Sequence, residues 1–130
     1  MSAWHIHHGS AGAATAWPEP GSATPVVHQR RLCRVLEMIE AEPGISVREL
    51  ALEVRLSPGY LQRLFKHEAG VHIHDVIAEH RLQRAAQLLS GSDMPIKEIA
   101  YAAGYQHHSS FVRAFQRRFG QTPRDFRVER

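Results

Sequence analysis

From Val27 onward, apolar side chains recur at helical spacing. Leu32, Val35, Leu36 and Ile39 stand at i, i+3, i+4 and i+7, one stripe of a helix over about 28–42 that Pro43 and Gly44 stop. Ser46 lies three residues before Glu49, a capping box in which the hydroxyl accepts from the Glu49 backbone N–H and the carboxylate returns a bond, so a short helix is predicted over about 47–54. Ser57 followed by Pro58 repeats the start signal, since proline at the first helical position lacks only an N–H that would be unpaired there. The third helix spans about 58–68, with Tyr60, Leu61, Leu64 and Phe65 inward and Gly70 at its end.

Ile73, Val76, Ile77, Leu82, Ala85, Leu88 and Leu89 predict the longest helix, over about 73–90 and roughly 27 Å in length. Pro95 suits the first turn of a helix over about 95–103 that buries Ile96, Ile99 and Ala100. Phe111, Phe115 and Phe119 at i, i+4 and i+8 are the core stripe of a helix over about 108–119, and Thr122-Pro123 opens a short terminal helix anchored by Phe126. No segment alternates apolar and polar positions long enough for a strand, so the fold class is all-α. Residues 1–26, rich in Gly, Ala, Ser, Thr and Pro without a sustained period, read as a disordered or loosely attached tail, leaving 27–130 as the domain.

The two halves of that domain repeat. Val47-Arg48-Glu49-Leu50-Ala51 matches Ile96-Lys97-Glu98-Ile99-Ala100, and Leu61-Gln62-Arg63-Leu64-Phe65 matches Phe111-Val112-Arg113-Ala114-Phe115 after one extra residue, with Gly70 against Gly120. Each copy is a short helix, a tight turn and a longer helix with an outward arginine, the layout of a helix-turn-helix. Ala51 and Ala100 are small enough to let the paired helices cross closely. Gly104 supplies the positive φ such a turn needs, whereas the first copy has Arg55 there, a costlier residue that predicts a slightly different turn.

Charge and chemistry narrow the picture. All 16 Lys and Arg residues fall in 27–130 against 12 of the 13 acids, a net of +4 for that segment, which favours a polyanionic partner. The single cysteine, Cys33, excludes an intramolecular disulfide and Cys-pair metal or redox sites, and reads as a small packed residue. No apolar run approaches the ~20 residues of a membrane span, and the N-terminus lacks the layout of a secretory signal, so a cytoplasmic protein without a membrane partner is expected. Ten histidines raise the possibility of metal binding. His5, His7 and His8 lie in the tail, His72 and His74 alternate at a helix start, and no pair has a third ligand in register, so no metal site and no cofactor is assigned. No nucleophile–base pair, glycine-rich phosphate loop or carboxylate dyad points to an enzyme.

The stretch 45–127 resembles the DNA-binding domain of the AraC/XylS transcriptional regulators, through Leu56-Ser57-Pro58-Gly59-Tyr60-Leu61-Gln62-Arg63-Leu64-Phe65-Lys66, the linker Arg81 to Leu89, Ile96 to Tyr105, and Ser110 to Arg124. Its length is similar to the short single-domain members, such as the multiple-antibiotic-resistance activators. The resemblance implies seven helices, with helix-turn-helix subdomains over about 47–68 and 95–119 joined by the linker helix. It further implies a monomer that sets two recognition helices in successive major-groove segments of double-stranded DNA, about one turn (~34 Å) apart. By the same resemblance Gln62, Arg63, His108, Ser109 and Arg113 are candidates for base edges, and Ser57, Lys66, Arg117, Arg118 and Arg124 for phosphates. An activator acting beside RNA polymerase on the nucleoid is implied too.

The chain departs from the family at His72-Ile73, where Ser/Thr-Pro is usual, and at Gly59, where a larger side chain often faces the groove. That leaves Gln62 with more of the first readout. The bland alternative makes the arginines solvated helix residues. Two rival readings remain: a helical protein-interaction module contacting RNA polymerase or another regulator with weak DNA binding, and the truncated output domain of a ligand-responsive regulator.

Overall fold

Local capping chemistry sets the starts of three helices. The computed structural model describes residues 25–129, which form α1 (Pro25–Ala41), α2 (Val47–Glu53), α3 (Pro58–Ala69), α4 (Ile73–Gly91), α5 (Ile96–Ala102), α6 (His108–Phe119) and α7 (Pro123–Val128), with no strand among the described residues. The expected tail over 1–26 lies outside the described residues, except that Pro25 and Val26 already belong to α1. Ser46 Oγ accepts from the Glu49 N–H at 3.1 Å while Glu49 Oε1 accepts from the Ser46 N–H at 3.0 Å, completing the predicted box. Ser57 Oγ caps α3 by accepting from the Tyr60 N–H, and Thr122 Oγ1 caps α7 by accepting from the Asp125 N–H, both at 3.1 Å. Helices α5 and α6 start otherwise: their N-caps, Pro95 and His107, make no side-chain capping bond.

The chain divides into two units, one holding the described residues up to Ala41 and Ser46–Val76, the other Glu42–Ile45 and the residues from Ile77 onward. In the first, Leu32, Val35, Ile39, Leu50, Leu61 and Phe65 are fully buried, the apolar stripes of α1, α2 and α3. Cys33 departs from expectation. It is exposed, because it falls beside the stripe of Leu32 and Val35 rather than in it.

The second unit is built on aromatic rings. Phe111 and Phe115 are fully buried with Leu89 and Ile99, and Phe119 and Phe126 pack against the same core. Phe115 meets Phe126 edge-on with centroids 5.3 Å apart and Phe119 at 4.6 Å, joining α6 to α7. Arg127 of α7 donates to the carbonyls of Leu89 and Ser92 at the end of α4.

The two helix-turn-helix turns share one hydrogen-bond pattern. After α2, the Arg55 N–H donates to Leu52 O and the Leu56 N–H to Ala51 O, and after α5 the Gly104 N–H donates to Tyr101 O and the Tyr105 N–H to Ala100 O. Ala51 and Ala100 are both buried, as their small size foretold. Both turns need a positive φ, +60° at Arg55 and +99° at Gly104, so the expected difference in shape appears in φ while the bonding is the same. Gly70 and Gly120 end α3 and α6 at φ of +79° and +77°.

Candidate nucleic-acid interface

On α3 the burial of Leu61, Leu64 and Phe65 leaves one face free, and Gln62, Arg63 and Lys66 are exposed on it. The Arg63 guanidinium folds back along the helix. It lies over the Tyr60 ring at 5.8 Å, and its Nη1 sits 3.5 Å from where a Cβ on Gly59 would be. Gly59 therefore leaves the start of α3 bare and lets the arginine occupy the space above it. Lys66 Nζ donates to Gly70 O at 3.1 Å, at the negative end of its own helix. Ser57, also exposed, uses a lone pair for its cap and keeps its hydroxyl proton for an external acceptor.

Between the later turns of α3 and the start of α4 is an open hollow of about 370 Å³ lined by Gln62, Arg63, Lys66, His67 and His72. The residue-by-residue assignment missed His67 and His72 as neighbours of the arginine. For His67 the signal was present, because it follows Arg63 by one helical turn.

On α6, Ser109, Arg113 and Arg117 are exposed on the side away from the buried Phe111 and Phe115, and His108, one turn before Phe111, is exposed at the first position of the helix. Arg113 stands where Arg63 stands in the first copy, and Arg117 follows one turn later. Arg124, exposed in the first turn of α7, completes the cations expected to meet phosphate.

Arg118 is placed differently from the other cations. Its Nε donates to Glu79 Oε1 at 2.7 Å and its Nη2 to Glu79 Oε2 at 2.9 Å, while Gln83 Nε2 donates to the same Oε2 at 2.8 Å. The guanidinium also lies over the Phe119 ring at 4.8 Å. This two-pronged bond holds the Glu79 carboxyl below the usual glutamate range, against the opposing effect of its partial burial. Arg118 was expected to meet phosphate, yet its partner here is a carboxylate of α4.

The turn before α6 has a support that no sequence signal announced. A Cβ on Gly104 would lie 2.8 Å from Gly44 Cα and 2.9 Å from Pro43 O, so glycine is required by close approach as well as by φ. Arg81 Nε donates to Pro43 O at 2.7 Å and Nη2 to Ile45 O at 3.5 Å, and the guanidinium lies 5.7 Å from the Tyr105 ring centroid. Burial pushes the Tyr105 phenol up. The segment 42–45, read from sequence only as a helix stop, thus forms part of the setting of the second turn.

Among the described residues no group of three or more His, Cys, Asp or Glu is placed to hold a metal ion, and no helix is long and apolar enough to cross a membrane. His5, His7 and His8 lie outside the described residues.

Comparison with known proteins agrees with this geometry. A family described as a helix-turn-helix domain matches residues 50–129, and one described as winged helix-turn-helix DNA-binding matches 30–67. The chain is 37% identical over 131 residues to the HTH-type transcriptional regulator GlxA of Rhizobium meliloti, a match covering 98% of this chain and 40% of that protein. It is 33% identical over 89 residues to the probable transcription factor PqrA of Proteus vulgaris, covering 68% of this chain and 73% of the relative. Among solved structures, an AraC-type transcriptional regulator from Chromobacterium violaceum superposes with a TM-score of 0.69 at 31% identity, covering 78% of this chain and 92% of the other.

Proposed function

The chain belongs to the AraC-type helix-turn-helix family of DNA-binding transcriptional regulators, and from that premise we propose that it reads a bipartite site as a monomer, with α3 and α6 as its two recognition helices. The observation that carries this reading is the pair Arg63 and Arg113, exposed at equivalent positions of two helix-turn-helix copies with the same turn bonding. A guanidinium at such a place can donate two parallel bonds to guanine O6 and N7, and a glutamine can do the same for adenine. Gln62 and Arg63 then meet base edges in one major-groove segment, and His108, Ser109 and Arg113 meet them in the next.

Ser57, Lys66, Arg117 and Arg124 contact phosphates, which set register and make affinity fall with salt. Two copies in one chain supply what helix-turn-helix proteins otherwise obtain by dimerising, which supports an asymmetric site bound by one molecule. The domain acting in this way is 27–130, working in the cytoplasm on the nucleoid. From the family resemblance comes the further proposal that it is an activator placed beside RNA polymerase.

Selection of bound duplexes from a random pool, followed by affinity measurements across a salt series, tests the reading. The expected outcome is a non-palindromic motif of two conserved segments about 10 bp apart, centre to centre. Equal affinity for every duplex would refute it and favour a protein-interaction module.

A further inference from the structure

Helix α6 opens on His107, which forms no side-chain cap, whereas α3 opens on the Ser57 cap. The rings of Phe111, Phe115 and Phe119 bury one side of α6, but apolar contact is non-directional and tolerates small rolls of a helix about its own axis. The fork of Arg118 on Glu79 is directional, with two bonds of 2.7 and 2.9 Å from one guanidinium to the two oxygens of one carboxylate and Gln83 fixing the same carboxylate from one turn along α4. Glu79 has only 21% of its side chain exposed, so the bond is partly shielded from water.

Five residues separate Arg118 from Arg113, which puts them about 140° apart around the helix. Arg118 therefore points toward α4 while Arg113 points outward. In the first copy the position equivalent to Arg118 is Glu68, so this device belongs to the second copy alone.

We propose that Glu79 is a positioning residue for base readout: by gripping Arg118 it fixes the roll of α6 and hence the aim of Arg113. The proposal rests on the reading of α6 as a recognition helix. At the surface of a helix some 5–6 Å in radius, a roll of 10° moves a side chain by about 1 Å. That displacement is enough to spoil a bidentate bond to a guanine, whose useful range of distance is only a few tenths of an ångström. Arg118 is thus assigned to holding the helix instead of meeting a phosphate.

The test measures binding of the full chain to a selected duplex and to duplexes altered by single base pairs in either half. Wild type is compared with Glu79→Gln, which keeps the size but removes the charge and leaves one acceptor oxygen where the fork uses two, and with the reversed pair Glu79→Arg plus Arg118→Glu. Glu79→Gln should lower discrimination in the half read by α6 about tenfold, the lower end of what one bidentate base contact supplies, and leave the α3 half unchanged. The reversed pair should restore most of the loss.

Three results would overturn the proposal. Discrimination could stay intact in Glu79→Gln. Both halves could weaken together, which marks general loss of structure. Affinity could rise for all duplexes with a steeper salt dependence, which would make Glu79 a competitor that keeps Arg118 from phosphate. A wild-type protein that binds all duplexes alike would instead defeat the readout reading itself, and the proposal with it.

Discussion

Replacing Gly104 by alanine isolates the support of the second turn. The new Cβ would sit 2.8 Å from Gly44 Cα and 2.9 Å from both Gly44 N and Pro43 O, all of them backbone atoms. Those atoms cannot swing aside as the end of a side chain would, because Arg81 holds Pro43 O at 2.7 Å. Overpacking of this kind costs about 1–3 kcal/mol. Holding an L-residue at a φ of +99° adds about 1–2 kcal/mol. Gly104→Ala should therefore destabilise by about 2–5 kcal/mol, read as a lower urea midpoint at unchanged slope.

Two controls separate the terms. Gly44→Ala places its Cβ 3.6 Å from Gly104 Cα, ordinary contact, and should stay within about 1 kcal/mol of wild type. Arg55→Gly relieves φ strain at the equivalent, exposed turn but adds unfolded-state entropy of about 0.5–1 kcal/mol, so the two effects should nearly cancel. A Gly104→Ala protein within about 0.5 kcal/mol of wild type, the range of an ordinary surface change, or a Gly44→Ala protein equally damaged, would refute the packing argument.

Other outcomes follow from the same geometry. Arg113→Ala should cost about 1–3 kcal/mol on a selected duplex and relax preference at one or two base pairs, while Lys66→Ala should weaken all duplexes alike and lower the salt slope by about 0.9, both read by fluorescence anisotropy. Ser46→Ala breaks the capping box of α2 and should cost about 1 kcal/mol in urea unfolding. Glu79 has a lowered pKa in the folded protein, because Arg118 favours its charged form. The stabilisation is therefore fully present above the ordinary glutamate value and is lost as pH falls through the lower folded one. The stability gap between wild type and Glu79→Gln should accordingly be constant near neutrality and close in acid, and a gap that widens on acidification would contradict the assignment.

Particular residues mark how far the sequence carries. Ser46, Ser57 and Thr122 each bond the backbone N–H three residues on, so three helix starts were legible from adjacent letters. The repeat then located the two turns and paired Arg63 with Arg113. Position 55 against 104 was legible too, since both have positive φ. The uncapped start of α5 was read from Pro95 and that of α6 from periodicity. Cys33 was misread because a small residue beside an apolar stripe looks the same in sequence whether it falls just inside or just outside the buried arc.

By itself the sequence determined the all-α class, most of the helix limits, the doubled helix-turn-helix and the exposed side of α3 and α6. Those features depend on residues at most a few positions apart, or on one copy repeating the other. Only the tertiary structure decided which cations are engaged and what braces the second turn. Arg118 finds Glu79 39 residues away and Arg81 finds Pro43 38 residues away. No local period encodes partners at that separation, because the packing of whole helices sets which side chains come within hydrogen-bond reach.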